Sequence, residues 1–92
     1  MGIPKGLTRE HVLQAIADLD AGINVRWGKS RKYDLVYQGK RYSPKAVLGR
    51  AICHLKGVKD YPNNFDGGDP TNWALQDLGF EVIEKNPYER RL

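Results

Sequence analysis

The sequence predicts an α+β fold: one small domain with the element order α-β-β-α-α-β, in which a short antiparallel sheet is packed by three helices. Three observations carry this expectation. Two segments place a capping residue ahead of apolar residues at helical spacing: Thr8 before Val12, Ile16 and Leu19, and Ser43-Pro44 before Val47, Leu48, Ala51, Ile52 and Leu55. Between them, Tyr33–Tyr37 and Lys40–Tyr42 have strand composition and are separated only by Gln38-Gly39, a tight turn. The chain has 92 residues, enough for one domain. A domain of that size buries only about 60–65% of its unfolded surface, which leaves no room for a large enclosed cavity beside the core.

The elements follow in order. Pro4 and Gly6 oppose a helix, so residues 1–7 read as a lead-in. Thr8 caps a helix from Arg9 to about Asp20, Glu10 suits the positive end of its dipole, and Ala21-Gly22 ends it. Residues 23–32 form a connection rich in positive charge. In the hairpin, Tyr33, Leu35 and Tyr37 share one face, and two strands alone are marginal in water, so the hairpin must pack on something. The second helix starts with Ser43 as cap and Pro44 at its first position, and Gly57 is its natural C-cap. Its opposite face shows Lys45, Arg50 and Lys56, with Gly49 small enough for close approach by a partner. Residues 58–68 form a loop. Asp69-Pro70 then opens a short helix over 70–78 that buries Ala74, Leu75 and Leu78, with Trp73 assigned to packing and Gly79 as cap. Residues 80–84 read as a last strand joining the hairpin, and 85–92 as a polar tail. Residues 1–92 are one domain with a core of about 7–84, without repeats or low-complexity tracts.

Catalytic chemistry finds little support. His11 and His54 sit on separate helices without a second ligand at metal spacing, and one cysteine cannot build a zinc site. Ser30 and Ser43 have no base at recognisable spacing. Asp66 and Asp69 flank Gly67-Gly68, where capping and turn formation suit them better than a paired-carboxylate site, and where they would repel a phosphate. The reading is a protein that is not an enzyme and needs no cofactor and no metal. Cys53 lies on an apolar helix face, where a buried inert thiol is expected, and it has no partner for an internal disulfide, which points to the cytoplasm. No apolar run approaches 18 residues, so no membrane partner is expected.

Charge segregation carries the functional reading. Between Arg26 and Arg50 stand eight basic residues against one acid, Asp34, a net +7 within a chain whose total is +4. Segregation of this kind suits a polyanion-binding face. Trp27, Tyr33, Tyr37 and Tyr42 are interleaved with the cations. Aromatics can stack on bases, including a base turned out of a duplex, although the tyrosines suit core packing better, Tyr33 and Tyr37 with Leu35 on the core face of the strand. The residues expected to bind nucleic acid or a nucleotide are Arg26, Trp27, Lys29, Arg31, Lys32, Lys40, Arg41, Tyr42, Ser43, Lys45 and Arg50. Trp27, in a loop between Arg26 and Gly28-Lys29, is the favoured base contact.

The succession Tyr33-Asp34-Leu35-Val36-Tyr37, Gly39-Lys40-Arg41-Tyr42-Ser43-Pro44-Lys45-Ala46-Val47, Phe65-Asp66-Gly67-Gly68 and Leu78-Gly79-Phe80-Glu81-Val82 resembles the N-terminal head domain of McrA-like, modification-dependent HNH restriction endonucleases. The resemblance runs from about Gly6 to Glu84. It implies a DNA-associated module of bacterial defence, a reader of modified bases, with nuclease activity residing elsewhere. The chain departs from longer members in lacking any HNH segment, so the resemblance supports binding and not cleavage. The expected partner is double-stranded DNA, with fusion to or association with a nuclease. Two alternatives stay open: a nucleotide binder acting in antiviral defence or its inhibition, and a protein-interaction adaptor using the hairpin edge.

Overall fold

The computed structural model describes residues 5–23, 32–59 and 69–85. They form α1 (Arg9–Asp20), β1 (Tyr33–Tyr37), β2 (Lys40–Tyr42), α2 (Pro44–Lys56), α3 (Asp69–Asp77) and β3 (Glu81–Glu84), the expected α+β order. The sheet is antiparallel throughout, with order β2-β1-β3.

α1 begins at Thr8, whose side-chain oxygen accepts from the His11 N–H at 3.4 Å. The His11 ring nitrogen Nδ1 accepts in return from the Thr8 N–H at 3.0 Å. This reciprocal capping box uses histidine where glutamate or glutamine is usual. α2 starts as expected, with the Ser43 hydroxyl accepting from the Ala46 N–H and Pro44 at the first turn. It is the central element, packing against α1, α3 and β1.

α2 is therefore buried around most of its circumference. Pro44, Ala46, Val47, Leu48, Gly49, Ala51, Ile52 and Cys53 are all buried, and all of them but Pro44 and Gly49 join Val12, Ala15 and Ile16 of α1, Leu35, Leu75 and Phe80 in one core. The Cys53 thiol is buried as expected. Gly49 is a correction: it lies inside and offers no approach to a partner. Trp73 is another: it is 61% exposed rather than packed. Thr71 and Leu75 are fully buried, so they define the inward side of α3, and Trp73 lies about 200° around the helix from either. Asn72 is buried too, and its Oδ1 has no hydrogen-bond partner among the described residues.

The hairpin turn is the tightest local feature. Tyr37 pairs with Lys40, and Gln38 and Gly39 between them have φ of 50° and 78°. Two consecutive positive φ values define the type I′ turn that matches the strand twist. Gln38 is a poor residue for that region, which asparagine tolerates better. Gln38→Asn is expected to raise stability by about 0.5–1 kcal/mol, read as a melting temperature a few degrees higher. An unchanged or lower value would show that Gln38 bears no strain.

α3 closes with the Phe80 N–H donating to Leu75 O and the Gly79 N–H to Gln76 O, a Schellman motif with Gly79 at φ 89°. A Cβ on Gly79 would stand 2.9 Å from Nη1 of Arg9. That guanidinium is the flexible end of an exposed side chain and can shift, but only by giving up its contacts. It donates to the Leu78 carbonyl at 3.0 Å and lies 4.3 Å over the Phe80 ring, tying the start of α1 to the end of α3. Gly79→Ala is expected to cost about 1–2 kcal/mol, from left-handed backbone strain and the displaced arginine. Urea titration of the two proteins measures it.

Candidate nucleic-acid interface

Side-chain alternation along β2 divides the basic cluster. Partners across an antiparallel pair share a face, so Leu35, Tyr42 and Val82 lie on one side of the sheet with Tyr37 and Lys40. Leu35 is core and Tyr37, Tyr42 and Val82 pack against it, so this is the helix side. Asp34, Val36, Arg41 and Ile83 lie on the other.

Lys40 and Tyr42 thus meet the end of α1. The Tyr42 hydroxyl donates to Asp20 Oδ1 at 2.7 Å, and Lys40 Nζ lies 3.8 Å from the same oxygen. Burial first, and then the Asp20 hydrogen bond and charge, push the Tyr42 hydroxyl up to about 12. It remains a donor through the physiological range. Its raised value adds stability that is present below the ordinary 10 and lost as pH rises toward 12.

Arg41 points the other way. Its Nη1 is 3.6 Å from Asp34, whose second oxygen is 3.5 Å from Lys85 Nζ. Asp34 is a buried acid on β1, held between cations from β2 and from the residue after β3. Arg41 itself stays half exposed and so keeps a face toward solvent.

Arg50 points inward. Its Nε and Nη2 donate to Asp18 Oδ2 at 3.1 and 2.8 Å, and its Nη1 to the Lys59 carbonyl at 3.0 Å. His54 Nε2 stands 2.6 Å from the same Asp18 oxygen. Burial pushes the Asp18 carboxyl up. Hydrogen bonds from Arg50 and His54, with the Arg50 charge, more than offset this and hold it below the ordinary 3.8. The group clamps α1 to α2.

Lys32 stands at the end of β1 away from the hairpin, with Nζ 5.6 Å over the Tyr33 ring. Ser43 spends its hydroxyl on capping α2, and Lys45 lies in that helix's first turn. Arg26, Trp27, Lys29 and Arg31 lie outside the described residues. The structure therefore gathers Lys40, Tyr42, Ser43 and Lys45 along one edge, where β2 runs into α2, and sends Lys32, Arg41 and Arg50 elsewhere.

This edge has a distinctive electrostatic character. The first turn of α2 carries no acidic residue, although the positive end of a helix dipole favours one, and it carries Lys45 instead. The acids that sequence reasoning did not single out, Asp18 and Asp20, show the mirror image. They sit in the last turn of α1, at the negative end of its dipole, where no basic residue accompanies them. That misfit was the available sign that cations from other elements must meet them.

A cleft of about 440 Å³ opens between the ends of α1 and α2, lined by Ile23, Arg50, Cys53, His54, Gly57, Val58 and Lys59. Its arginine and histidine already face Asp18, and it lies at the negative end of the α2 dipole, so it does not favour a phosphate. Among the described residues, no group of three potential metal ligands comes together, and no helix is long and apolar enough to cross a membrane.

Fold and site define a small α+β module with a cation-bearing strand-to-helix edge. The chain belongs to the ScoMcrA-like N-terminal head domain family, whose model matches residues 5–84. No curated protein and no solved structure matches the chain. The family match bears out the resemblance read above all from the hairpin-to-helix segment and from Phe65-Asp66-Gly67-Gly68, the latter outside the described residues. It associates the chain with McrA-type restriction systems, and it describes a head domain rather than a catalytic nuclease domain.

Proposed function

We propose that the chain is a non-catalytic DNA-binding head module of a McrA-type restriction system, acting beside a nuclease in the same or another chain. The observation that carries this is the edge from Lys40 through Tyr42 to Lys45, which ends on the N-terminus of α2, whose own first turn holds no acidic residue. Lysines there can neutralise phosphates and release their counterions, while the helix end adds a favourable partial charge. Arg26, Lys29 and Arg31 extend the same charge into the preceding connection, and Trp27 among them is the group proposed to sense a modified base.

Fluorescence anisotropy with matched 20-base-pair duplexes, plain and carrying methylated or hydroxymethylated cytosine, tests this at two salt concentrations. Lys40, Lys45, Arg26, Lys29 and Arg31 together imply about five phosphate contacts, hence a log–log salt slope of about −4 to −5. Stronger binding to modified duplex that is lost in Trp27→Ala supports base reading. A flat salt response excludes a phosphate-driven mode. No binding to any duplex directs attention to a nucleotide or protein partner.

A further inference from the structure

Asp20 is oddly placed for a purely structural acid. It ends α1, where the helix dipole opposes negative charge. Its side chain is 41% exposed, so water alone can solvate it. Yet one of its oxygens takes both the Tyr42 hydroxyl, at 2.7 Å, and the Lys40 ammonium, at 3.8 Å. Both donors come from the edge strand that leads into the basic N-terminus of α2. An anionic oxygen held between a hydroxyl and an ammonium is also how proteins hold a phosphodiester oxygen.

We infer that Lys40 and Tyr42 form a phosphate-oxygen subsite that the protein's own Asp20 carboxylate fills in the unbound state, and that a backbone phosphate of DNA binds there by displacing it. The inference rests on the DNA-binding reading and adds to it a residue that works against affinity. The exchange is chemically conservative, since one anionic oxygen replaces another on the same two donors. The Lys40 side of it is cheap, because the Lys40–Asp20 contact is long and exposed and such surface pairs are weak, while the short Tyr42 hydrogen bond is remade to the phosphate oxygen. The released carboxylate turns to solvent. Asp20 then sets a threshold, so that a single stray anion competes poorly while a polyanion anchored at Lys45 and the preceding cations prevails.

The test compares wild type, Asp20→Asn and Glu10→Gln on plain duplex at low salt. Glu10→Gln removes the same charge from the other end of α1, about 15 Å away. Asp20→Asn is expected to bind about fivefold to tenfold tighter than wild type, and Glu10→Gln to stay within about twofold. The gain should vanish when Asp20→Asn is combined with Lys40→Ala or Tyr42→Phe. Ultraviolet titration of Asp20→Asn should show the Tyr42 hydroxyl ionising below about 12, the sign of the broken contact, and a cooperative melt of the same variant verifies that it is folded. If wild type binds with a steep salt slope but Asp20→Asn is no tighter than Glu10→Gln, the subsite is wrong and the DNA reading survives. If none of the three binds, the reading fails and the subsite fails with it.

Discussion

Lys40→Glu combined with Lys45→Glu is expected to weaken duplex binding by about 100-fold or more at moderate salt. Each reversal removes one phosphate contact and sets a negative charge against the backbone, and an effect of order tenfold per residue is typical for such contacts. The two lysines are separated by only five positions and sit where β2 becomes α2, so both should face the same stretch of backbone. The same substitutions discriminate binding from folding. Glutamate at position 45 falls in the first turn of α2, which has no acid, and there the helix dipole favours it by about 0.3–1 kcal/mol. The expected pair of results is a protein that melts near the wild-type temperature and has lost DNA. Retained affinity in the double variant would remove this edge from the interface.

The largest expected effect on stability lies at Asp18. Its side chain is 19% exposed and that of Arg50 13%, so the ion pair between them is mostly withdrawn from water. Asp18→Ala would leave the guanidinium with the Lys59 carbonyl and leave His54 without its acidic partner. We expect a loss of about 2–3 kcal/mol, below the full cost of an unpaired buried charge because solvent reaches the edge of the clamp. In a domain of this size that is a fall of roughly 10–20 °C in melting temperature. Asp18→Asn keeps an acceptor and should lose less. The sign with pH follows from the lowered carboxyl value: the clamp's contribution is present above the ordinary 3.8 and is lost as pH falls below it. Urea denaturation at pH 7, 5 and 3 should therefore show wild type ahead of Asp18→Ala at the first two and the gap shrinking at the third.

These two sites differ in how far the sequence announced them. Lys40 and Lys45 were visible as members of a charge cluster next to a capped helix. Asp18 carries no local signal of its role, and Arg50, which it holds, has the sequence pattern of a surface cation. The periodicity of α2 showed an apolar stripe, and it took the packing of α1, β1 and α3 around that helix to turn Arg50 and Gly49 inward. Trp73 erred in the other direction, because a helix of nine residues is too short for periodicity to choose its inner face.

The sequence by itself determined the elements and their order. Thr8, Ser43-Pro44, Gln38-Gly39 and Gly79 act within a few residues of themselves, through caps, a fixed proline torsion and left-handed turns, and such rules can be read locally. Only the tertiary structure decided which charges pair with one another inside the domain. Arg50 reaches Asp18 across 32 positions, His54 reaches it across 36, and Tyr42 reaches Asp20 across 22. No periodicity encodes those pairings. They arise because strand alternation sends Lys40 and Arg41 to opposite faces, and because two acids at the unfavourable end of α1 draw cations from whatever packs beside them.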